Sequence, residues 1–178
     1  MRIGIDISQL AYPGTGVANY IYQLVDHLLQ VDSENEYILF YSSLRVPIQN
    51  SKFKNQNYKA KFKIKTMKIP PFVLDILWNK LHIVPIEQLI GDLDVFITSD
   101  WTEPPARHAK KATIIYDMIV YKYPEETDKK IIRTQKRKLK WVKKESGAVL
   151  TISESSKKDI VEILKIPKDK IYVIYPGI

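Results

Sequence analysis

Short apolar runs alternate along this chain with stretches whose apolar residues recur every three or four positions. The β-branched and aromatic runs predict strands over 1–7, 36–42, 61–67, 94–98, 111–116, 148–152 and 171–175. Helical spacing predicts helices over 17–31, 72–80, 85–91, 128–146 and 153–165. Runs such as Thr113-Ile-Ile-Tyr116 and Ala148-Val-Leu-Thr-Ile152 lack polar alternation, so their strands are expected to be covered on both faces, as in a parallel sheet. The fold class read from this order is α/β: a Rossmann-like, doubly wound, mainly parallel sheet flanked by helices.

In the first helix, Val17, Ile21, Leu24, Val25, Leu28 and Val31 form the stripe expected to face the sheet, with His27 off it. Residues 43–60 are polar and without period, and read as a variable surface connection. Ser153 is a good cap for the last helix, with Glu154 after it, and Pro167 stops that helix.

Composition narrows the class. With 45% hydrophobic and 27% charged residues in 178, a single soluble globular domain is expected. There is no cysteine, hence no disulfide framework or thiolate metal site, which fits a reducing compartment and favours the cytoplasm. No apolar run is long enough to span a bilayer, and the start lacks a signal-peptide pattern. His27, His82 and His108 lack metal-ligand spacing, and no Ser/His pair or carboxylate cluster points to a self-contained hydrolase.

The richest candidate chemistry is near the start. The apolar run Met1-Arg-Ile-Gly-Ile-Asp-Ile7 leads into a loop ending Pro13-Gly-Thr-Gly16, and a helix follows. A helix N-terminus opening onto a glycine loop presents N–H donors and partial positive charge to an anion. The third glycine of a dinucleotide fingerprint would fall at Asn19, and no Gly-Lys-Ser/Thr follows. The alternatives are an anion loop and a tight turn that only needs glycine dihedrals; its place at a strand's carboxyl end favours the first.

Five segments follow one another along the chain: Arg2-Ile-Gly-Ile-Asp6 with Gly14-Thr-Gly-Val-Ala-Asn-Tyr20, Asp94-Val-Phe-Ile-Thr98 with Pro104-Pro105, Ile114-Ile-Tyr-Asp-Met118 with Tyr123-Pro-Glu125, Leu150-Thr-Ile-Ser-Glu-Ser-Ser-Lys-Lys-Asp159, and Ile171-Tyr-Val-Ile-Tyr-Pro-Gly177. In this order they resemble family 4 of the retaining glycosyltransferases. The resemblance, mannosyltransferase-like in character, implies one half of a GT-B architecture: residues 1–178 as the N-terminal, acceptor-side domain, with a donor-binding domain carrying two spaced glutamates beyond it. It implies hexosyl transfer, as in polysaccharide biosynthesis, from a nucleotide-diphosphate sugar to a sugar or lipid-linked sugar, with no cofactor or metal, and an inactive isolated fragment. The implied roles are donor-phosphate binding at Gly14, Thr15, Gly16 and Val17, acceptor binding at Asn19, Trp101 and Thr102, and catalysis at Asp117 and Tyr116. Asp117 is the candidate for orienting an acceptor hydroxyl, and a turn former is the plainer reading of an Asp there.

The chain departs from the family pattern at three places. Asn19 stands where the family often has Arg, and Thr98-Ser-Asp100 lacks the family's His-Ser-Pro. Tyr116 stands where it often has His, replacing an imidazole by a phenol with a reference pKa of about 10.

Net charge is +8, and nine Lys/Arg with no acid lie between Lys129 and Lys144, leaving the rest close to neutral. Ile132, Gln135, Leu139 and Val142 make the helix's packing stripe. The cations, represented by Lys136, Arg137, Lys138 and Lys140, read as a solvated face, as an attraction to anionic headgroups at the inner membrane face, or as a nucleic-acid patch. The resemblance favours the membrane over nucleic acid, and the apolar segment Ile69–Trp78 is a candidate addition to such a surface. The competing function class is a non-catalytic Rossmann-like module binding RNA or another anionic partner through this helix.

Overall fold

The structure, a computed structural model, describes residues 1–48, 53, 57–99 and 101–177. Seven strands form one sheet: β1 (Arg2–Asp6), β2 (Glu36–Ser42), β3 (Lys61–Met67), β4 (Val95–Thr98), β5 (Lys110–Ile114), β6 (Ala148–Thr151) and β7 (Ile171–Val173). Their order is β3-β2-β1-β4-β5-β6-β7, and every pairing is parallel. The expected α/β class is therefore present. The order reverses at β1 and β4, and in such sheets the crevice beyond the carboxyl ends of those strands is where ligands sit.

Both faces of the sheet are covered. On β2, Tyr37, Leu39 and Tyr41 enter the core under α1 (Gly16–Val31), while Ile38 and Phe40 point the other way, toward Trp78 and Phe96. Gly4 on β1 serves this second layer, since a Cβ there would stand 2.6 Å from Phe96 Cδ2 and 2.8 Å from Leu93 Cδ1. A third cluster joins α4 (Ile119–Lys122), α5 (Lys129–Glu145) and α6 (Glu154–Leu164) to β6 and β7 through Val120, Leu139, Val142, Val149, Ile160 and Ile171.

Three expectations need correction. The buried row of α1 is Ala18, Ile21, Val25 and Leu29, whereas Val31 is 69% exposed. At about 100° per residue Val31 lies roughly 200° around from Leu29, away from the sheet. The helix expected over 72–80 begins as α2 (Pro71–Leu74) and widens into a π segment, Asp75–Lys80, seen in the Leu81 N–H bond to Ile76 O. The connection expected to lie on the surface over 43–60 instead buries Phe53 and Ala60 in the core; its residues 49–52 and 54–56 lie outside the described ones. The short α3 (Glu87–Ile90) completes the set. Glu87 Oε1 accepts N–H bonds from Arg107, His108 and Ala109. Burial pushes that carboxyl up, and the three backbone donors outweigh it and hold it below the usual range.

Candidate functional site

The carboxyl ends of the parallel strands lie on one edge, where the segments following β1, β4 and β5, with α5, build a cavity of about 260 Å³. Its walls include Val17 from the first turn of α1, Trp101 after β4, Tyr116 and Asp117 after β5, and Gln135 and Lys138 from α5. Four of the elements carrying expected site residues thus meet here.

The α1 end is built as an N-terminus should be. Gly14 has φ +84°, a conformation that favours glycine, and Thr15 caps the helix by accepting the Ala18 N–H at 3.2 Å. A Cβ at Gly14 or Gly16 would meet nothing within 4 Å, so the loop is open to close approach by a ligand.

Tyr116 is fixed from three sides. Its hydroxyl lies 2.8 Å from Ser99 Oγ, and its ring meets Tyr20 edge-on at 5.6 Å. Its carbonyl accepts a 2.9 Å bond from Ser156 Oγ, while Ser153 caps α6 by accepting the Ser156 N–H. Ser153 is therefore the cap it was expected to be, and the Ser153-Glu-Ser-Ser156 segment also ties α6 to the β5 loop. Tyr20 in turn donates to Ile174 O at 3.0 Å, with burial pushing its phenol up. Asp117 is exposed in the same cavity, and its Oδ1 accepts the Ile119 N–H at 3.0 Å, the turn-forming bond of the plainer reading.

Other expected residues fall elsewhere. Thr102 is buried and Asn19 is exposed, and neither lines the cavity; Asp100 lies outside the described residues. Lys136 and Lys140 are exposed on α5, with Lys136 5.1 Å from the Tyr121 ring centre. Arg137 is spent on Asp75, 2.6 Å away. Lys138 does not belong to the outer face: it is 1% exposed and lines the cavity.

The sequence reading missed the polar network beneath the β4–β5 loop. Lys111 Nζ hydrogen-bonds Pro104 O at 2.8 Å and Glu145 Oε2 at 2.9 Å, and pairs with Glu103 Oε1 at 3.0 Å without hydrogen-bond geometry. Glu103 Oε2 lies 2.5 Å from Thr98 Oγ1. Glu145 also meets His82 Nε2 at 2.9 Å, and the His82 ring stacks on Trp141 with centres 3.6 Å apart. Burial raises the Glu145 carboxyl, but the bonds from Lys111 and His82 outweigh it and set it below its ordinary range. Asn79, in the π segment, donates to Trp101 O and accepts the Glu103 N–H, which hangs the Trp101 wall on the core. The partners lie from 5 to 63 positions apart and come from different elements, so no repeating spacing announces them.

Among the described residues, no three His, Asp or Glu side chains gather as metal ligands, and no helix is long and apolar enough to cross a membrane. Similar solved structures include the apo form of the lipopolysaccharide outer core galactosyltransferase WaaB, 14% identical with a TM-score of 0.48, in a match covering 100% of this chain and 46% of that one. The chain thus spans less than half of that protein's length. A short-chain dehydrogenase from Oenococcus oeni PSU-1 is 10% identical with a TM-score of 0.40, covering 99% of this chain and 96% of that one. No curated protein matches the sequence. Residues 14–178 match Glycosyltransferase Family 4, running from the glycine loop through every wall of the cavity, and the chain belongs to that family.

Proposed function

We propose that this chain is the acceptor-side, N-terminal domain of a retaining glycosyltransferase of GT-B architecture, using a nucleotide-diphosphate sugar and a sugar or lipid-linked sugar acceptor. The observation that carries this is the shared cavity, which joins the first turn of α1 to Trp101, Tyr116 and Asp117 at the sheet's carboxyl edge. Trp101 offers an apolar face for a sugar ring, and Asp117 orients the attacking hydroxyl. The bond from the anomeric carbon to the diphosphate breaks, a bond to the acceptor oxygen forms, and the hydroxyl proton passes to the departing diphosphate oxygen. The N–H groups of Gly16 and Val17, with the positive end of α1, face the charge gathering on the diphosphate. A further domain would hold most of the donor.

The test uses the full-length natural polypeptide, with nucleoside diphosphate release measured over panels of donors and acceptors, and NMR of the product anomer to read retention. Asp117→Asn is expected to lower kcat/KM for the acceptor about 10²-fold with the donor KM unchanged. An unchanged acceptor kcat/KM overturns the assignment of Asp117. The absence of release with every donor overturns the function.

A second observation favours a cytoplasmic enzyme working at an anionic membrane surface. Phe72, Ile76, Leu81 and Ile83 are exposed along 72–83, whose π segment packs against α5, and Lys129, Arg133, Lys136 and Lys140 are exposed on α5. Exposed apolar side chains together with exposed cations suit headgroups better than a nucleic-acid backbone. Sedimentation with anionic vesicles, lost when those four cations become Glu, supports this docking. Binding to RNA but not to vesicles moves the assignment to the nucleic-acid module.

A further inference from the structure

The cavity at the sheet's carboxyl edge has an apolar lining that runs from the interior to the solvent. Ile114, Ile115, Val120 and Leu139 line it and are buried, while Ile119 from α4 and Ile131 from α5 also line it and are 47% and 38% exposed. A single exposed aliphatic side chain needs no explanation. Two that border one cavity, and continue into its buried apolar residues, form an opening that hydrocarbon can enter.

The polar side chains around this space are already committed. The Tyr116 hydroxyl meets Ser99, Asp117 Oδ1 accepts the Ile119 N–H, Thr127 Oγ1 donates to Tyr123 O, and Gln135 and Lys138 each have an interaction within the fold. A sugar ring carries hydroxyls all round it, and each one buried without a partner is penalised, whereas an alkyl or aryl group gains by leaving water. The lining therefore suits hydrocarbon better than a sugar. Asp117 is exposed, so a sugar whose hydroxyl it orients sits at the solvent side of the cavity rather than in its depth. The volume of about 260 Å³ holds roughly nine water-sized groups at about 30 Å³ each, room for a whole hexyl or phenyl group.

We propose that this cavity is an aglycone subsite: it binds the hydrocarbon group joined to the acceptor sugar, with Ile119 and Ile131 holding that group at the opening, so that the protein selects acceptors bearing an alkyl or aryl group over free sugars. The proposal rests on the acceptor reading of the cavity and narrows it. Selection of this kind scales with the apolar area removed from water, and each fully buried methylene tightens binding by about fourfold.

The test titrates methyl, butyl, hexyl and phenyl glucoside, and hexanol, into the full-length natural polypeptide by calorimetry. Affinity is expected to rise from methyl through butyl to hexyl glucoside by about tenfold or more in all, with a heat capacity of binding that grows more negative along the series. Hexanol should bind without any sugar. The tighter of hexyl and phenyl glucoside identifies an aliphatic or an aromatic group as the natural aglycone. The double variant Ile119→Asn/Ile131→Asn should remove the gain with chain length while leaving methyl glucoside binding as it was. Val31→Asn, at another exposed apolar position, controls for lost surface and should change nothing. Thermal melting establishes that each variant is folded; should the double variant fail to fold, the two single variants replace it. Equal affinity along the series, no binding of any probe, or a gain that survives the variants overturns the proposal. Sugar transfer with no preference for an apolar aglycone defeats this inference and leaves the glycosyltransferase reading standing, whereas chain-length-dependent binding without any transfer does the reverse.

Discussion

Lys111 offers the sharpest test of what holds this edge of the sheet in place. Its side chain is 4% exposed and Glu103 is 0% exposed, so Lys111→Met leaves a buried carboxylate whose cation is gone. Glu103 would keep Thr98 and lose the charge 3.0 Å away. Breaking a buried pair by removing one partner costs about 3–5 kcal/mol. For a chain of this size each kcal/mol moves Tm by about 2–4 °C, so a fall of roughly 6–20 °C is expected. The double variant Lys111→Met/Glu103→Leu removes both charges and should recover most of that loss, since apolar replacements of buried pairs are often neutral or better. Urea unfolding followed by tryptophan fluorescence measures all four corners of the cycle, with Trp78 and Trp141 reporting beside the network. A single-variant cost below about 1 kcal/mol, or a double variant less stable than Lys111→Met, would refute the claim that Glu103 depends on this cation.

Glu145→Gln tests the acid limb. Because the folded carboxyl lies below its unfolded value, its stabilisation is fully present above the unfolded pKa and is lost as pH falls through the folded one; the variant should lack that part of the loss between pH 5 and pH 2 in urea midpoints, and parallel pH curves would contradict it. Asn79→Ala orphans the buried Glu103 N–H and removes the donor to Trp101 O, so about 1–3 kcal/mol of stability and a several-fold rise in acceptor KM without a rise in donor KM are expected from melts and kinetics. Gly4→Ala forces a Cβ against Phe96 and Leu93 and should cost about 1–3 kcal/mol in chemical unfolding.

The strands were legible because a doubly covered sheet writes its interior as unbroken β-branched and aromatic runs. β2 over 36–42 and β3 over 61–67 lie where the pattern puts them, although β3 is an edge strand with exposed Lys61 and Lys65. The π widening after Leu74 was not legible, since one extra residue in a turn leaves the apolar spacing of Leu74 and Trp78 intact. Of the candidate site, Val17, Trp101, Tyr116 and Asp117 were singled out through the family resemblance, and they line one cavity. Thr102, next to Trp101 in sequence, turns inward and is buried, because adjacent residues of an extended loop face opposite ways. Lys138 could have been found: it lies three residues after Gln135 and four before Val142, on the packing stripe itself, and only the density of cations around it suggested solvent. Glu103, Asn79 and His82 could not, because their partners come from other elements.

These placements make α5 the element that joins surface to site. Outward it presents Lys129, Arg133, Lys136 and Lys140, and inward it supplies Gln135 and Lys138 to the cavity. Arg137 on Asp75, the Trp141 bond to Asn79 O and the stack of Trp141 on His82 fasten it to one segment, 75–82. That segment also holds Trp101 through Asn79, and it ends at His82 and Val84, both at positive φ, where Trp78 Nε1 clamps Val84 O at 3.0 Å. A β-branched residue in that conformation is strained and persists only where the surroundings hold it. The Trp101 wall and α5 are thus held by one segment, 75–84, through Asn79, Asp75 and His82.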